Sequence, residues 1–531
     1  MKFFNTAGPC DSRFHYMLPA AERLPEARPL IERGGYFALH APRQTGKSTT
    51  LRALARELTA EGKYAALSFS CETGAPAEDD YAAAQRAVLT QIRWRAEVDL
   101  PPELRPPGEW SAADPLSLLG GALRDWAKVC PRPLVLFFDE IDALRGESLK
   151  AVLRQLRAGY DLRPDSAPWS VVLCGLRDVR DYKAARGGDD TRLGTSSPFN
   201  IKVKSLRLGN FSKDEVEALY AEHTLQTGQL FTPQAVEAAF VLTGGQPWLV
   251  NSLAAEITLE MKIPPPTPIA VAHVEEAKER LILARATHID SLIAKLTEPG
   301  VRGVIEPIIA GQEIDEAATA AGYNDDASYV SDLGLIAPGR PLRIANPIYR
   351  EVIVRLLSSE VQDKVTVEPQ SFVLRDGRFD VRRMLKEFAE FWTRNGDVFA
   401  AKMPYHEVAP QLVLMAFLQR VVNGGGSIDR EYGIGRGRID LLIRWPLPAL
   451  APGQSRSLQQ EAIELKVWRQ KRADPLAEGL VQLQEYLDRL GLESGTLVIF
   501  DRRTEALPID QRTRFESATL RNGAIATVLR A

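Results

Sequence analysis

Gly46, Lys47 and Ser48 end a short loop that stands between an apolar run and a helical pattern. The apolar run Tyr36–His40 is typical of a buried strand, and apolar residues recur after the loop at helical spacing. In such a loop, backbone N–H groups and a helix N-terminus bind phosphate, the lysine reaches the β- and γ-phosphates, and the serine hydroxyl binds Mg²⁺. The pattern therefore predicts a nucleotide-phosphate site.

The loop departs from the usual pattern at one position, because Ala41 occupies the place of the first glycine. Gly46 is retained, and this is the glycine that lets the backbone come close to phosphate. The residues expected to contact the nucleotide are Ala41, Pro42, Arg43, Gln44, Thr45, Gly46, Lys47, Ser48 and Thr49.

Two carboxylates, Asp139 and Glu140, follow the apolar run Leu134–Phe138. Asp139 could reach a Mg²⁺ held by Ser48, and Glu140 could polarise an attacking water. The alternative is a buried strand followed by a polar helix cap. The phosphate loop upstream favours the catalytic interpretation.

Arg177 ends a further apolar run, Ser170–Leu176, where it could stabilise charge near a γ-phosphate. The alternative for this arginine is a surface ion pair with Asp178 or Asp181. Farther along, Gly245–Pro247 forms a Gly-x-Pro turn that opens another helical pattern.

A second charged group lies in two short β-type runs, with Asp440 in one and Glu464 and Lys466 in the other. Alternate side chains of a strand share a face, so Glu464 and Lys466 emerge together, and hairpin pairing would bring Asp440 to Glu464. Two carboxylates could then hold Mg²⁺ or Mn²⁺, and Lys466 could position or deprotonate a water against a phosphodiester.

Further residues flank these two runs. Glu407 precedes an apolar helical pattern and could add a third carboxylate, while Gln482 and Tyr486 stand one helical turn apart. A last strand is expected at Thr496–Phe500. The basic residues around the runs could bind a DNA backbone or form a solvated turn, and they are Arg436, Arg438, Arg469, Lys471 and Arg472.

The elements that must position these groups change in type along the chain. Residues up to about 205 alternate apolar runs with helical patterns, as a parallel α/β sheet does. Residues from about 286 to 360 suggest short helices and a small hairpin, as in a winged helix. The other strands expected in the first segment are Tyr64–Ser68, Leu134–Phe138 and Val171–Gly175.

The N-terminal order of motifs resembles the AAA-like and STAND branch of P-loop ATPases, over residues 1 to about 358. The resemblance implies ATP and Mg²⁺ as cofactors, with Asp139 as a Mg²⁺ ligand and Glu140 as the group that activates water. It also implies that Arg177 senses the γ-phosphate and that Pro247 closes the site from a helical lid. No arginine finger is recognisable, so completion of the site by a second copy in a homo-oligomer stays open.

The C-terminal order resembles the PD-(D/E)XK nuclease superfamily, over about residues 400 to 505. The resemblance implies that Asp440, Glu464 and Lys466 form a metal-dependent nuclease site, and that Gln482 and Tyr486 are the Q-x-x-x-Y motif of a RecB-like exonuclease branch. Arg438 and Ile439 stand where a literal Pro-Asp pair would lie. The alternative is an inactive nuclease-like fold.

These resemblances predict an α/β P-loop NTPase sheet with a helical lid and a winged helix, followed by a separate α/β PD-(D/E)XK-like domain. The expected boundaries are 1–205 for the ATPase core, 206–285 for the lid, 286–360 for the winged helix and 370–531 for the nuclease-like domain.

Length and composition bound the functional classes. The 531 residues suggest about three to four domains, and the formal charge of −3 excludes a global basic field for nucleic acid. Four cysteines without C-x-x-C spacing do not suggest a metal site or a disulfide set. The sequence shows no signal-peptide pattern and no membrane-spanning run, so we expect a cytoplasmic protein without a membrane partner.

Taken together, the motifs predict an ATP-hydrolysing switch coupled to a DNA nuclease domain. A second interpretation is a signalling or scaffold ATPase whose nuclease-like domain binds nucleic acid or a protein partner without cutting. A nucleotide-driven translocase ranks third, because no second motor core or helicase motif series is recognisable.

Overall fold

The computed structural model describes most of the chain, in segments. These are residues 2–110, 114–176, 201–284, 290, 292, 294–309, 321–339, 341–362, 372–402, 413–415, 417–418, 426–431, 440–447, 458–470, 472–503 and 505–531. The contacts between residues divide the chain into two compact units. The first is Met1–Arg285 with Ser328–Leu335, and the second is Ala286–Ala327 with Ile336–Ala531.

The first unit is built on a five-stranded parallel sheet with the order β2-β3-β4-β1-β5. Its strands are β1 (Tyr36–His40), β2 (Ala65–Ser70), β3 (Leu134–Asp139), β4 (Ser170–Gly175) and β5 (Lys202–Arg207). The four strands expected from apolar runs are confirmed, with ends that move by one or two residues. Because all neighbours are parallel, the carboxyl ends that carry the polar groups meet at one edge.

Helices cover both faces of this sheet. Alternate residues of β3 enter different hydrophobic clusters, with Leu136 and Phe138 in one and Val135 and Phe137 in the other. The helices of the first unit are α1 (Ala27–Glu32), α2 (Lys47–Ala60), α3 (Tyr81–Asp99), α4 (Leu118–Val129), α5 (Gly146–Ala158), α6 (Lys213–Thr227), α7 (Pro233–Thr243), α8 (Pro247–Ala255) and α9 (Val271–Leu283).

The starts of helices α6, α7 and α8 follow from local capping signals. Ser212 and Glu215 form a capping box at α6, and the Thr232 hydroxyl accepts from the backbone of Ala235, 3.2 Å away, at α7. Pro247 is the first residue of α8, where its missing N–H costs nothing. These local signals therefore explain where the three helices begin.

The turn before α8 depends on Gly245, which has a φ of 70° and whose carbonyl accepts from the Phe211 backbone N–H, 2.7 Å away. A Cβ here would lie 2.0 Å from the Phe211 carbonyl oxygen. We expect Gly245→Ala to lower the free energy of unfolding by about 3 kcal/mol, because left-handed strain and a backbone clash add.

Gly228→Ala is the matched control for this turn, since Gly228 has a φ of 74° and no atom within 4 Å of the added Cβ. It should cost about 1 kcal/mol. Denaturant unfolding measures both variants, and equal losses would contradict the assignment of a clash at Gly245.

The second unit contains a six-stranded mixed sheet with the order β10-β11-β9-β8-β7-β6. Its strands are β6 (Ser427–Glu431), β7 (Asp440–Pro446), β8 (Leu458–Trp468), β9 (Gly495–Asp501), β10 (Arg514–Thr519) and β11 (Ile525–Arg530). Strand β8 pairs antiparallel with β7 and parallel with β9. A C-terminal α/β fold is thereby present.

The expectation that the strand at Thr496–Phe500 is the last one is wrong. Strands β10 and β11 follow it as an antiparallel pair. Strand β10 is largely exposed at the sheet edge, so it has no apolar pattern to reveal it. The Asn522-Gly523 pair between these strands is the hairpin signal that could have found them.

Helices after residue 285 complete the chain. They are α10 (Pro299–Ile309), α11 (Ala321–Asp332), α12 (Pro347–Gln362), α13 (Val381–Lys402), α14 (Leu476–Leu490) and α15 (Ile509–Arg512). An isolated antiparallel bridge joins Ile336 to Ile344, at the place of the expected small hairpin. The winged helix itself and the four domain boundaries stay predictions.

Candidate functional site

The phosphate loop joins β1 to α2 and contains two left-handed backbone positions. Gln44 has a φ of 59° and Gly46 a φ of 90°, and Gly46 caps the N-terminus of α2. The Lys47 ammonium donates to the carbonyls of Ala41 and Pro42, each 2.7 Å away. The loop therefore folds around the ammonium of Lys47, and it ends at the N-terminus of α2.

The lysine lies in a field of acidic groups. Burial lowers the pKa of Lys47, while Cys174, Asp139, Asp142 and Glu140 oppose that effect. These groups act on Lys47 because the carboxyl ends of β3 and β4 meet the loop at one edge of the sheet. The structure therefore brings together the loop lysine and the Asp-Glu pair expected from the sequence.

Asp139 offers a buried carboxylate at the end of β3, with 6% of its surface exposed. Its Oδ1 accepts from the backbone N–H of Glu140, 3.1 Å away. Within the described residues, no three His, Cys, Asp or Glu side chains gather into a metal cluster. Mg²⁺ commonly takes one carboxylate, hydroxyl or water oxygens and phosphate oxygens, so Asp139 and Ser48 suit a cation delivered with a nucleotide.

Glu140 is held in place by a serine that sequence reasoning missed. The Ser70 hydroxyl donates to Glu140 Oε2 across 2.5 Å, and Glu140 has a left-handed φ of 55°. Burial raises the pKa of Glu140, and the bond from Ser70 lowers it. Ser70 lies opposite Asp139 in the β2–β3 register, and its polar side chain at the end of an apolar run was the available signal.

A partly open cavity of about 120 Å³ adjoins the phosphate loop. The N-terminal segment, the loop with α2, and the α6 and α8 region contribute its walls. The lining residues are Asn5, Thr6, Gly8, Cys10, Tyr16, Met17, Leu18, Ala20, Arg23, Gln44, Gly46, Thr49, Thr50, Phe211, Leu219, Pro247, Trp248 and Asn251.

Arg23 connects these three walls. Its Nε donates to Glu215 Oε1 over 2.9 Å, and its guanidinium lies 4.5 Å from the centre of the Phe211 ring. Its Nη1 is 3.5 Å from the carbonyl oxygen of Thr45 in the loop. Burial lowers the pKa of Arg23, and Glu215 opposes that effect. No local motif marks this arginine, because its partners are far away in sequence.

Gln246, the residue before α8, connects that helix to the phosphate loop. Gln246 Nε2 donates to the Gln44 carbonyl over 3.4 Å, and its Oε1 caps α8 by accepting from the backbone N–H of Leu249, 2.6 Å away. Pro247 follows it in the cavity wall. Trp248 fixes the N-terminal segment by donating to the Thr6 carbonyl, 2.8 Å away.

In the second unit, the backbones of Asp440 and Glu464 are opposite each other in the antiparallel β7–β8 pair. This register is the one expected from the sequence. Glu464 is fully buried, and the Lys466 ammonium lies 3.0 Å from its Oε1, so the two side chains share a face.

Helix α14 covers this pair. Lys466 donates to Gln482 Oε1, and Gln482 Nε2 donates to Glu478 Oε1 over 2.8 Å. Tyr486 is buried one turn farther, in the cluster that packs α14 on the sheet. Gln482 therefore faces the charged pair, whereas Tyr486 packs in the core.

Several expected residues lie outside the described residues, namely Arg177, Glu407, Arg436, Arg438 and Lys471. The described helices include none that is long and apolar enough to cross a membrane.

Comparison with known proteins identifies the first part of the chain. Residues 31–182 match the family model of an AAA domain. This match supports an AAA-like P-loop domain in the first part of the chain. None of the curated proteins compared with the chain matches it.

Three solved structures illustrate the similarity at low identity. A Walker-type ATPase of Pyrococcus abyssi is 15% identical, with 66% of this chain and 99% of that chain covered and a TM-score of 0.46. The RuvB Holliday junction branch migration motor of Thermotoga maritima is 16% identical, with 63% and 93% covered and a TM-score of 0.34. Cdc6p from Pyrobaculum aerophilum is 13% identical, with 64% and 93% covered and a TM-score of 0.36.

Proposed function

We propose that the chain is a Mg²⁺-dependent switch protein that binds and hydrolyses ATP, and whose nucleotide state controls a metal-dependent DNA nuclease domain. One observation carries the nucleotide half: the half-buried Lys47 lies at the start of α2, where Asp139 and Glu140 act electrostatically on its ammonium. The match of residues 31–182 to an AAA domain supports the same activity.

In this proposal each residue of the nucleotide site has a separate role. Lys47 exchanges its two carbonyl partners for the β- and γ-phosphates, while the N–H groups at the start of α2 bind phosphate oxygens. Ser48 and Asp139 would hold Mg²⁺, which supplies charge neutralisation when bound. Glu140 accepts the proton of the attacking water, and Pro247 contacts the nucleotide from the lid. Arg177 keeps its proposed role as γ-phosphate sensor.

Replacing Ser70 with alanine should move the acid limb of ATP hydrolysis to higher pH. Only deprotonated Glu140 can accept a proton, and the Ser70 bond lowers its pKa against the effect of burial. Without that bond the pKa rises further, so the rate falls earlier on acidification. A profile of kcat from about pH 5 to 8 measures the shift.

Ser170→Ala is the matched control for this profile. Ser170 is a buried serine at the first position of β4, whereas Ser70 is the last residue of β2. Its hydroxyl donates to the Gly35 carbonyl, 2.7 Å away. Its acid limb should coincide with that of the wild type. An acid limb unchanged in Ser70→Ala would contradict the role given to Glu140.

The nuclease half rests on the ion pair of the buried Glu464 and the partly buried Lys466, with Asp440 opposite Glu464 in the strand register. Asp440 and Glu464 would hold Mg²⁺ or Mn²⁺, with Glu407 as a third carboxylate. Lys466 would position a water or take its proton, while Gln482 orients the lysine ammonium. DNA is the proposed substrate.

One observation favours the second candidate, a scaffold ATPase whose nuclease-like domain does not cut. The Lys466 ammonium already has Glu464 at 3.0 Å, Glu478 at 3.8 Å and Gln482 as partners. A lysine whose ammonium already has these partners could have a structural role only. The domain would then bind nucleic acid or a protein partner.

Incubation of the purified full chain with plasmid and linear DNA, with and without Mg²⁺ and ATP, tests the proposal. Metal-dependent cleavage that responds to ATP is the expected result. Absence of cleavage under every combination would refute the nuclease half, and absence of phosphate release from ATP would refute the nucleotide half.

A further inference from the structure

Asn251 is a wall residue of the cavity beside the phosphate loop, and its side chain carries a buried hydrogen-bond acceptor, the Oδ1. Asn251 lies in α8 with 7% of its surface exposed, and it lines the cavity. Its Nδ2 donates to the Pro247 carbonyl over 2.8 Å. Within the described part of the chain, its Oδ1 has no hydrogen-bond partner.

The orientation of this amide follows from its neighbour. The Pro247 carbonyl can only accept a hydrogen bond, so the amide nitrogen must face it and the oxygen must point elsewhere. A buried acceptor without a partner costs free energy comparable to a lost hydrogen bond. A ligand that donates to it would remove that cost.

The residues that line the cavity differ in charge, and this difference indicates which of them would receive each part of a nucleotide. Among the described lining residues, the cationic side chain is Arg23, which lies beside Thr45 and Gly46 in the phosphate loop. The lining residues of α6 and α8 are uncharged and include the apolar side chains of Leu219 and Trp248. Phosphates therefore belong at the loop, and a flat neutral base belongs against α8.

We propose that Asn251 Oδ1 accepts a hydrogen bond from the 6-amino group of adenine and thereby selects adenine nucleotides. Adenine presents an amino donor at this position, whereas guanine presents the O6 acceptor. Two acceptors facing each other leave both unpaired, which disfavours guanine. This inference rests on the proposed nucleotide-binding function.

Calorimetric titration with ADP and with purine riboside diphosphate, both with Mg²⁺, tests the inference on the full chain. The second compound lacks only the 6-amino group. The wild type should bind ADP about tenfold more tightly, since one hydrogen bond to a buried group is worth about that factor. In Asn251→Leu the two affinities should agree within about twofold.

Ser252→Ala is the matched control, because Ser252 is the next buried residue of α8 and does not line the cavity. It should keep the tenfold preference. Equal affinities in the wild type, or a preference that survives in Asn251→Leu, would overturn the assignment of Asn251.

The wild-type comparison stands even if the Asn251 variant does not fold. A wrong assignment of Asn251 and a wrong nucleotide site also give different results. Tight and equal binding of both diphosphates refutes the role of Asn251 and leaves the nucleotide site in place. Binding of neither compound refutes the nucleotide site together with the inference.

Discussion

Replacing Lys47 with alanine lowers ATP hydrolysis by about 10³-fold in the proposed mechanism, because a cation that stabilises transferred charge is removed. The chain itself should keep its fold. In the absence of nucleotide the ammonium contacts only two loop carbonyls among its described hydrogen-bond partners, and burial already disfavours its charged form. The lysine therefore serves phosphate binding more than stability.

Two measurements check this expectation. Phosphate release gives the rate, and the shift of the melting temperature by ATP with Mg²⁺ gives binding, since a ligand specific for the folded state raises that temperature. Lys63→Ala is the control, because Lys63 is an exposed lysine just beyond the far end of α2. Hydrolysis within about tenfold of the wild type in Lys47→Ala would contradict the proposed site.

Replacing Lys466 with methionine should abolish DNA cleavage, with a loss of about 10³-fold, because the group that positions or deprotonates water is removed. It should also lower the free energy of unfolding by about 3 kcal/mol, because fully buried Glu464 loses its partner at 3.0 Å. A loss of cleavage in this variant alone would therefore not separate catalysis from folding.

The double variant Glu464→Gln with Lys466→Met provides that separation. It removes both charges, so no buried carboxylate remains without the compensating Lys466 charge, and most of the stability should return. Cleavage should stay absent. A double variant that is stable and cuts DNA at the wild-type rate would refute the nuclease assignment and favour the scaffold interpretation.

The parts of the fold that the sequence predicted depend on local signals. Strand β1 and the helix that follows the phosphate loop each follow from a few adjacent residues. The register that places Asp440 opposite Glu464 follows from the alternation of strand side chains.

The parts that escaped prediction depend on contacts between distant residues. The Trp248 indole donates a hydrogen bond to the carbonyl of Thr6, which is 242 positions away in the sequence. Cys10 donates its backbone N–H to the hydroxyl of Thr49, 39 positions away. No pattern within a short window signals such pairs. The contribution of residues 5–23 to the cavity, and of Arg23 and Asn251 in particular, therefore became visible only in the structure.

The proposed control of cleavage by nucleotide has its most direct test in two variants of the full chain. Glu140→Gln should bind ATP and retain it, because the loop is intact and the proton acceptor is lost. Lys47→Ala should remain nucleotide-free. We predict that, with ATP and Mg²⁺, Glu140→Gln cleaves linear DNA at least about tenfold faster than Lys47→Ala, a difference worth about 1.4 kcal/mol in the barrier. Equal cleavage rates in the two variants would contradict the coupling of the ATPase domain to the nuclease-like domain.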